Sequence, residues 1–310
     1  MSNTYLVTGG AGFIGSAVVR RLISDGHDVV VIDNLSTGFA ENLPDGTALV
    51  VADLADDGAL DHLPERTYDG VFHFAAQASG AISQRQPLKD LRVNAGATLA
   101  LIDWCGRHDV SRLIFSSSMT AYGQQTESVM HEDMACNPIA YYGASKLASE
   151  HFLRIAGASG LKATSFRIFN AYGPGQNLGN REQGMVSIYL AYLLEGASLP
   201  VTGRFDRFRD FVYIDDIVDA MVPAIYQPDL PSPMYNIGSG RKTAVRELID
   251  KLIVALDLPT DHPVEELAGA AHDLHGAIAD IGRARREIGW APKIDLDAGL
   301  AAMVTWARNL

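Results

Sequence analysis

Cysteine is nearly absent: Cys105 and Cys136 are the only two in 310 residues. That excludes a disulfide framework and a Cys-x-x-Cys metal site, and points to reduced thiols in a cytoplasmic protein. No apolar run approaches the roughly 20 residues of a membrane-spanning helix. Residues 1–8 carry no basic segment ahead of an apolar one, unlike a secretory signal. The expectation is a soluble, cytoplasmic chain with no membrane partner. A basic excess is missing too: 37 acidic residues face 25 Lys and Arg, a net charge of −12. That argues against nucleic acid as a partner, which needs a basic face. Lysine is especially scarce, six against nineteen arginines, so the cations favour forked recognition of carboxylate or phosphate. Internal repeats and low-complexity linkers are absent. What is present is ordinary for a globular chain, 47% apolar and 20% charged. At roughly 150 residues per domain, the length fits one large or two ordinary domains.

The first half alternates between two periods. Short β-rich runs occur at 5–8, 28–33, 48–52, 70–75, 112–117 and 162–168, with helix-patterned segments at 13–24, 88–108 and 140–158 between them. Such alternation predicts a Rossmann-type, doubly wound parallel α/β sheet. Val29-Val30-Val31-Ile32 is apolar without alternation, as expected of a strand covered on both faces. After Phe169 the pattern loosens. A helix is expected over 184–195, a strand–helix unit over 210–226, a strand at 234–237 and a helix over 245–256. The reading is a nucleotide-binding domain over 1–168, with 208–238 returning to it, and a smaller, discontinuous α/β C-terminal lobe from 169–207 and 239–310.

Glycines stand at 9, 12 and 15 in Thr8-Gly9-Gly10-Ala11-Gly12-Phe13-Ile14-Gly15, between the first strand and first helix. They allow a tight turn, close approach of a pyrophosphate and close helix–strand packing. The helix N-terminus offers free N–H groups to the phosphates. Asp33 ends the second strand 18 residues after Gly15. A carboxylate there accepts ribose hydroxyls of NAD and repels the 2′-phosphate of NADP. No arginine in 34–39 would welcome that phosphate. Asp53, after the third strand, is either an adenine contact or a helix cap.

Tyr142 and Lys146 share one helical face. A phenol with a pKa of about 10 is a poor base at neutrality, and a nearby ammonium is expected to lower that value. Ser116-Ser117-Ser118 ends the fifth strand, at the sheet edge where substrates bind in open α/β folds. A hydroxyl there can hold the oxygen whose proton Tyr142 takes.

With these residues in place, the chain resembles an extended short-chain dehydrogenase/reductase of the NAD-dependent sugar-nucleotide epimerase/dehydratase family. The resemblance runs nearly the whole length. It rests on TGGAGFIGS, the DNLSTG run from Asp33, His73-Phe74-Ala75-Ala76-Gln77, SSSMTAYG, YGASK, Arg167 to Pro174, Arg209 to Asp216, Tyr235 to Gly240, and Ala279 to Trp290. It implies Tyr142 as catalytic base, Lys146 as its ribose-binding partner and Ser118 as the catalytic hydroxyl. It implies an NAD site from Gly9, Gly12, Phe13, Ile14, Gly15, Asp33, Asn34, Ser36, Thr37, Gly38, Asp53, Leu54, Phe74, Ala75, Ala76, Gln77, Asn94, Ser116, Tyr142 and Lys146. Substrate contacts implied are Ser118, Met119, Thr120, Tyr142, Asn170, Arg209 and Ala277, with Asn170 and Arg209 near a diphosphate.

Family dehydratases place Asp-Glu after the catalytic hydroxyl. Here Met119 and Thr120 stand there, so dehydration is disfavoured. The DNLSTG and SSSMTAYG runs resemble UDP-hexose 4-epimerases, which implies 4-epimerisation of a nucleotide-diphosphate hexose through a 4-keto sugar, in a polysaccharide pathway. Two departures matter. Ala270 occupies the position of a second phosphate arginine, for which Arg204, Arg207 or Arg241 could substitute. Ala277, at the pocket-gate position, is small enough to admit an N-acetyl group. His272-x-x-His275 lacks a third ligand, so no metal is expected. His73 is expected to be a packed core residue. The alternatives are an NAD(P)-dependent 4-keto-sugar-nucleotide reductase or another sugar-nucleotide epimerase, and a non-catalytic NAD-binding protein. The resemblance also implies a homodimer through the helices at 88–108 and 140–158.

Overall fold

The computed structural model describes residues 2–227, 229–269 and 275–310. Among them, seven strands form one parallel sheet: β1 (Thr4–Thr8), β2 (Asp28–Asp33), β3 (Ala48–Val51), β4 (Gly70–His73), β5 (Arg112–Ser118), β6 (Lys162–Ile168) and β7 (Met234–Ile237), in spatial order β7-β6-β5-β4-β1-β2-β3. Period-2 side-chain alternation divides β1, β2, β4 and β5 between two cores. Tyr5, Val7, Val29, Val31, Phe72 and Ile114 enter one, while Leu6, Val30, Ile32, Val71, Leu113 and Phe115 enter the other. Both faces are therefore buried, which is why these strands read as continuous apolar runs.

Seven longer helices are α1 (Phe13–Ser24), α2 (Ala97–Arg107), α3 (Tyr141–Ala156), α4 (Met185–Leu194), α5 (Ile214–Tyr226), α6 (Val245–Ala255) and α7 (Leu296–Ala307). α1 and α5 pack in the first core through Val18, Leu22, Ile217 and Met221. α2 and α3 pack in the second through Leu101, Trp104 and Leu153. The chain winds outward from β1 to β3, then returns to lay β4 on the other side of β1. That reversal opens a crevice above the C-terminal ends of β1 and β4, the usual ligand position in such sheets.

Two expectations change. The segment 88–108 is not one helix. It is a short helix Pro87–Leu91, a π-turn Arg92–Gly96 and then α2. The wider turn accompanies an inward, fully bonded Asn94, and π-turns of this kind are frequent at functional sites. The strand expected at 210–214 is Phe211–Tyr213, which pairs with Asn170–Tyr172 outside the main sheet, whereas α5 and β7 do join the core of the sheet. The remaining elements carry small ribbons: Leu199–Thr202 with Val264–Leu267, Phe208–Arg209 with Thr243–Ala244, and Val129–Met130 with Ile278–Ala279. The first core continues into them through Leu190, Val201, Leu248 and Leu300, so no separate apolar centre divides the lobe from the sheet.

Candidate active site

The crevice begins at the glycine turn. Gly9 has φ +68°, and a Cβ on it would lie 2.5 Å from the Ala75 nitrogen. A Cβ on Gly15 would lie 2.1 Å from the Gly9 carbonyl oxygen. Both positions exclude any side chain. Gly12 is different: its Cβ would meet only the Gly9 oxygen, at 3.3 Å. It is also the N-cap of α1, without a side-chain cap, so the first N–H groups of α1 face an open cradle. Asp33 closes the turn from β2. Its two oxygens accept the Ala11 and Leu35 N–H groups at 3.0 and 2.8 Å. Each carboxylate oxygen keeps a lone pair for a ribose hydroxyl. Leu35 is held at φ +55°, and a Cβ on Gly38 would strike Ala11 at 2.5 Å, so the loop 34–38 lies directly on the glycine turn. Asn177 ties Thr37 to the C-terminal side by a 3.1 Å bond to its carbonyl. Asp53 organises its own turn: one oxygen accepts the Ala55 N–H and the other the Asn34 amide. On β4's side, Phe74 and Ala75 donate to the Thr8 carbonyl. These residues fit a dinucleotide: a cradle free of side chains, an uncapped helix N-terminus and a carboxylate at the ribose position.

Tyr142, Ser118 and Lys146 meet at the other end of the crevice, on α3 and at the end of β5. Ser118 accepts the Thr120 N–H at 3.2 Å and the Thr120 hydroxyl at 2.9 Å. Ser118 also lies close enough to the Tyr142 phenol to hold it down against burial. Thr120 thus holds the Ser118 hydroxyl and brings no carboxylate beside it. Lys146 is buried, with Nζ donating to the Ser116 carbonyl at 2.8 Å and standing 6.0 Å from the Tyr142 ring centre. The lowered phenol expected from this pair is not found. Burial pushes Tyr142 up to about 12, the Ser118 bond opposes this, and Asp90 adds to it. Burial also brings Lys146 down to about 8, against the pull of Asp90 and Glu150. The protein alone keeps its phenol protonated, because dehydration outweighs the Ser118 contact.

Asn94 and Gln77 were expected here, but sequence reasoning missed the buried carboxylates beneath this pair, Asp90 and Glu150. Asn94 accepts the Gln77 N–H at 2.9 Å and donates to Ser145 and to the buried Asp90. Gln77 also donates to Asp90. Glu150 receives both Nε and Nη2 of Arg167, at 2.9 and 2.7 Å, and the Ser117 hydroxyl at 2.5 Å. The signals were available: Glu150 lies one turn beyond Lys146 on the same face, and Asp90 one turn before Asn94. His73 is a core residue, bonded to Thr8 and Thr98 and brought down to about 3 by burial.

The substrate side is assembled from distant segments. Asn170 donates to the Asp210 carbonyl at 3.0 Å and approaches the Met119 sulfur at 3.8 Å. Arg209 is buried and donates to the Phe208 carbonyl at 2.8 Å. Nearby, Asp210 accepts from Ser239, Gly240 and Ala279, and Asp206 pairs with Arg204. Of the three arginines weighed for the position of Ala270, Arg204 is exposed in its pair with Asp206, and Arg207 is buried on the carbonyls of Arg204 and Thr202. Arg241 is exposed. Ala277 is 1% exposed. Ala270 and His272 lie outside the described residues. Among the described residues, no cluster of His, Cys, Asp or Glu forms a metal site, and no helix is long and apolar enough to cross a membrane.

A Rossmann-type sheet with a side-chain-free phosphate cradle and a Tyr/Ser/Lys site defines an enzyme of the short-chain dehydrogenase/reductase class. The chain belongs, more narrowly, to the NAD dependent epimerase/dehydratase family, whose family model matches residues 5–238. It is 37% identical to a UDP-glucose 4-epimerase of Mycolicibacterium smegmatis, over 98% of both chains. It is similar to the crystal structure of a UDP-glucose 4-epimerase of Thermotoga maritima with UDP-glucose, at TM-score 0.92 and 35% identity over 99% of each chain. A UDP-N-acetylglucosamine 4-epimerase of Methanobrevibacter ruminantium, in complex with UDP-N-acetylmuramic acid, superposes at TM-score 0.91 with 29% identity, covering 100% of this chain and 99% of that one.

Proposed function

We propose that this protein interconverts the C4 epimers of a UDP-hexose, with NAD as a resident cofactor. The observation that carries this reading is the Tyr142–Ser118–Lys146 set at the mouth of an NAD cradle, with Thr120 in place of an acidic residue beside Ser118. Gly9, Gly12, Gly15 and Asp33 would hold the dinucleotide, with the loops 34–38 and 74–77 along it. When bound, nicotinamide supplies the hydride acceptor, and later the donor, at C4 of the sugar. The chain does the rest. Entering the reaction as the phenolate, Tyr142 would take the C4 hydroxyl proton as C4 is oxidised and return it as C4 is reduced from its other face, so no proton or electron is gained overall. Ser118, oriented by Thr120, hydrogen-bonds the same oxygen. Lys146 keeps positive charge beside that phenolate. Asn170 and Arg209 approach the diphosphate, Arg209 as a fork. The buried, small Ala277 supports acceptance of an N-acetylhexosamine as well.

The protein is further read as a cytoplasmic homodimer. Free Cys105 and Cys136 suit a reducing compartment. Exposed Leu88, Leu99, Tyr141 and Ile155, on and just before α2 and on α3, suit a helix-to-helix contact, and a solution mass near twice 33.4 kDa by light scattering checks it. For the reaction, proton NMR follows UDP-glucose and UDP-N-acetylglucosamine without added cofactor. Wild type is expected to form the 4-epimers, and Tyr142→Phe to lose activity by about 10³-fold. Turnover that requires stoichiometric reduced cofactor would instead identify a keto-sugar reductase.

A further inference from the structure

Residues 173–184, between the strand Asn170–Tyr172 and α4, contain no helix or strand. Connections of about a dozen residues without regular structure are uncommon in compact domains and usually serve function. This one is fastened to three segments that follow strands of the sheet. A Cβ on Gly175 would lie 3.8 Å from the Phe13 ring, at the first residue of α1, after β1. Asn177 Nδ2 donates to the Thr37 carbonyl at 3.1 Å, in the loop after β2. The Glu182 carbonyl accepts the Ser79 hydroxyl at 3.0 Å, in the loop after β4, and the Glu182 carboxylate pairs with Arg85 at 2.5 Å. In the sheet β1 lies between β4 and β2. The segment therefore crosses the mouth of the crevice, passes the start of α1 and is held on both sides. Arg181, next to Glu182, fastens instead to its own lobe: it pairs with Glu195 and lies over Tyr192, 4.4 Å from the ring centre. On the β4 side, buried Ser79 is bonded through its N–H and carbonyl to the Gln77 side chain, so that fastening rests on the loop 74–77.

We propose that residues 175–182 are a strap that retains NAD in the crevice, with Asn177–Thr37 and Arg85–Glu182 as its two clasps. This rests on the reading of the crevice as the cradle of a resident cofactor, and it says what keeps that cofactor resident. Gly9, Gly12 and Gly15 bring no side chain that could close over a dinucleotide, so closure has to come from another part of the chain. The two clasps differ in kind. Asn177 and Thr37 share a neutral hydrogen bond. Arg85 and Glu182 attract by charge, and their side chains are 55% and 44% exposed, so salt weakens that attraction. Release of NAD is therefore expected to quicken with ionic strength, through the Arg85–Glu182 clasp.

The test is the rate at which bound NAD leaves the purified full-length protein. Excess alcohol dehydrogenase and ethanol convert released NAD to NADH, which is followed by its fluorescence. Arg85→Ala and Asn177→Ala are each expected to speed release by about three- to fivefold. Together they should multiply, because the clasps hold different loops and share no partner. Added salt should close the gap between wild type and Arg85→Ala while leaving the Asn177→Ala effect in place. Arg85→Glu and Glu182→Arg, each alone, should release NAD at least as fast as Arg85→Ala. The two combined restore an ion pair of reversed sense and should return the rate close to wild type. Release at the wild-type rate from the Arg85→Ala/Asn177→Ala protein overturns the proposal. So does fast release in the single reversals that their combination fails to slow, because local disturbance rather than the ion pair would then be responsible. No sugar is present in the assay. A protein that holds NAD but does not epimerise would therefore overturn the assigned reaction and leave this result standing.

Discussion

The two ends of the crevice are built by different means. The nucleotide end is made of backbone. Gly9, Gly15 and Gly38 sit where an added Cβ would lie within 2.5 Å of neighbouring main-chain atoms, and Asp33 is fixed by two main-chain N–H groups. The end proposed for the substrate is made of side chains brought from far apart: Met119 and Thr120 after β5, Asn170 after β6, Arg209 before its paired Thr243, and Ala277 beyond both. Backbone cannot be exchanged residue by residue without losing the turn, whereas side chains on separate supports can. One end is therefore suited to a constant partner and the other to a substrate that differs among related enzymes.

Breaking the nucleotide end should give the largest effect. In Gly15→Ala the new methyl meets the Gly9 carbonyl oxygen at 2.1 Å and the Gly10 Cα at 2.8 Å. Neither is a flexible side chain that could move away. Bound NAD, measured by absorbance after denaturing the purified protein, is expected to be absent, and stability to fall by about 1–3 kcal/mol. Gly12→Ala sharpens the contrast. Its methyl meets one atom at 3.3 Å, so the melting temperature should stay close to wild type while the cradle is still filled. Equal destabilisation by the two substitutions would show that Gly12 is structural and does not mark the ligand face.

The same contrast explains what could be read from the amino-acid sequence. The glycine spacing, Asp33 and the Tyr142/Lys146 pair are local patterns, and local geometry places them. The parallel sheet followed from unbroken apolar runs such as Val29 to Ile32, and the strand expected at 234–237 joins it as β7. Three features were not legible. The π-turn at Asn94 is set by hydrogen bonds to Gln77 and Ser145, which lie in other segments. Pairing of Phe211–Tyr213 with Asn170–Tyr172 is a long-range choice that a three-residue strand does not announce. The raised Tyr142 arises from how completely its surroundings exclude water, whereas sequence shows only that an ammonium is close by.

At the substrate end the expected effects are smaller and more selective. Arg209 donates to the Phe208 carbonyl, which fixes the start of its fork. Arg209→Lys keeps the charge and loses the planar pair of donors. KM for UDP-glucose should rise about tenfold, corresponding to about 1.4 kcal/mol, with kcat changed much less, since diphosphate contacts serve ground state and transition state alike. A fall in kcat with unchanged KM would place Arg209 at the reacting sugar and reverse the assignment of the two regions.

The finest test concerns Ala277. It is buried, and the adjacent Gly276 admits no side chain, since a Cβ there would lie 2.3 Å from the Phe208 ring. Any added bulk at 277 must therefore be taken up on the side away from Phe208, or by the substrate pocket. In Ala277→Tyr, UDP-N-acetylglucosamine turnover should be lost first, with UDP-glucose turnover reduced only a few-fold, because the N-acetyl group needs the volume that the tyrosine takes. The ratio of the two rates in one NMR experiment is the readout, with melting temperature as the control for folding. Equal loss on both substrates, in a protein that still melts cooperatively, would mean that Ala277 supports the packing of Phe208 and Ile278 rather than the sugar. The capacity for N-acetyl sugars would then have to reside in the Met119–Thr120 side of the pocket.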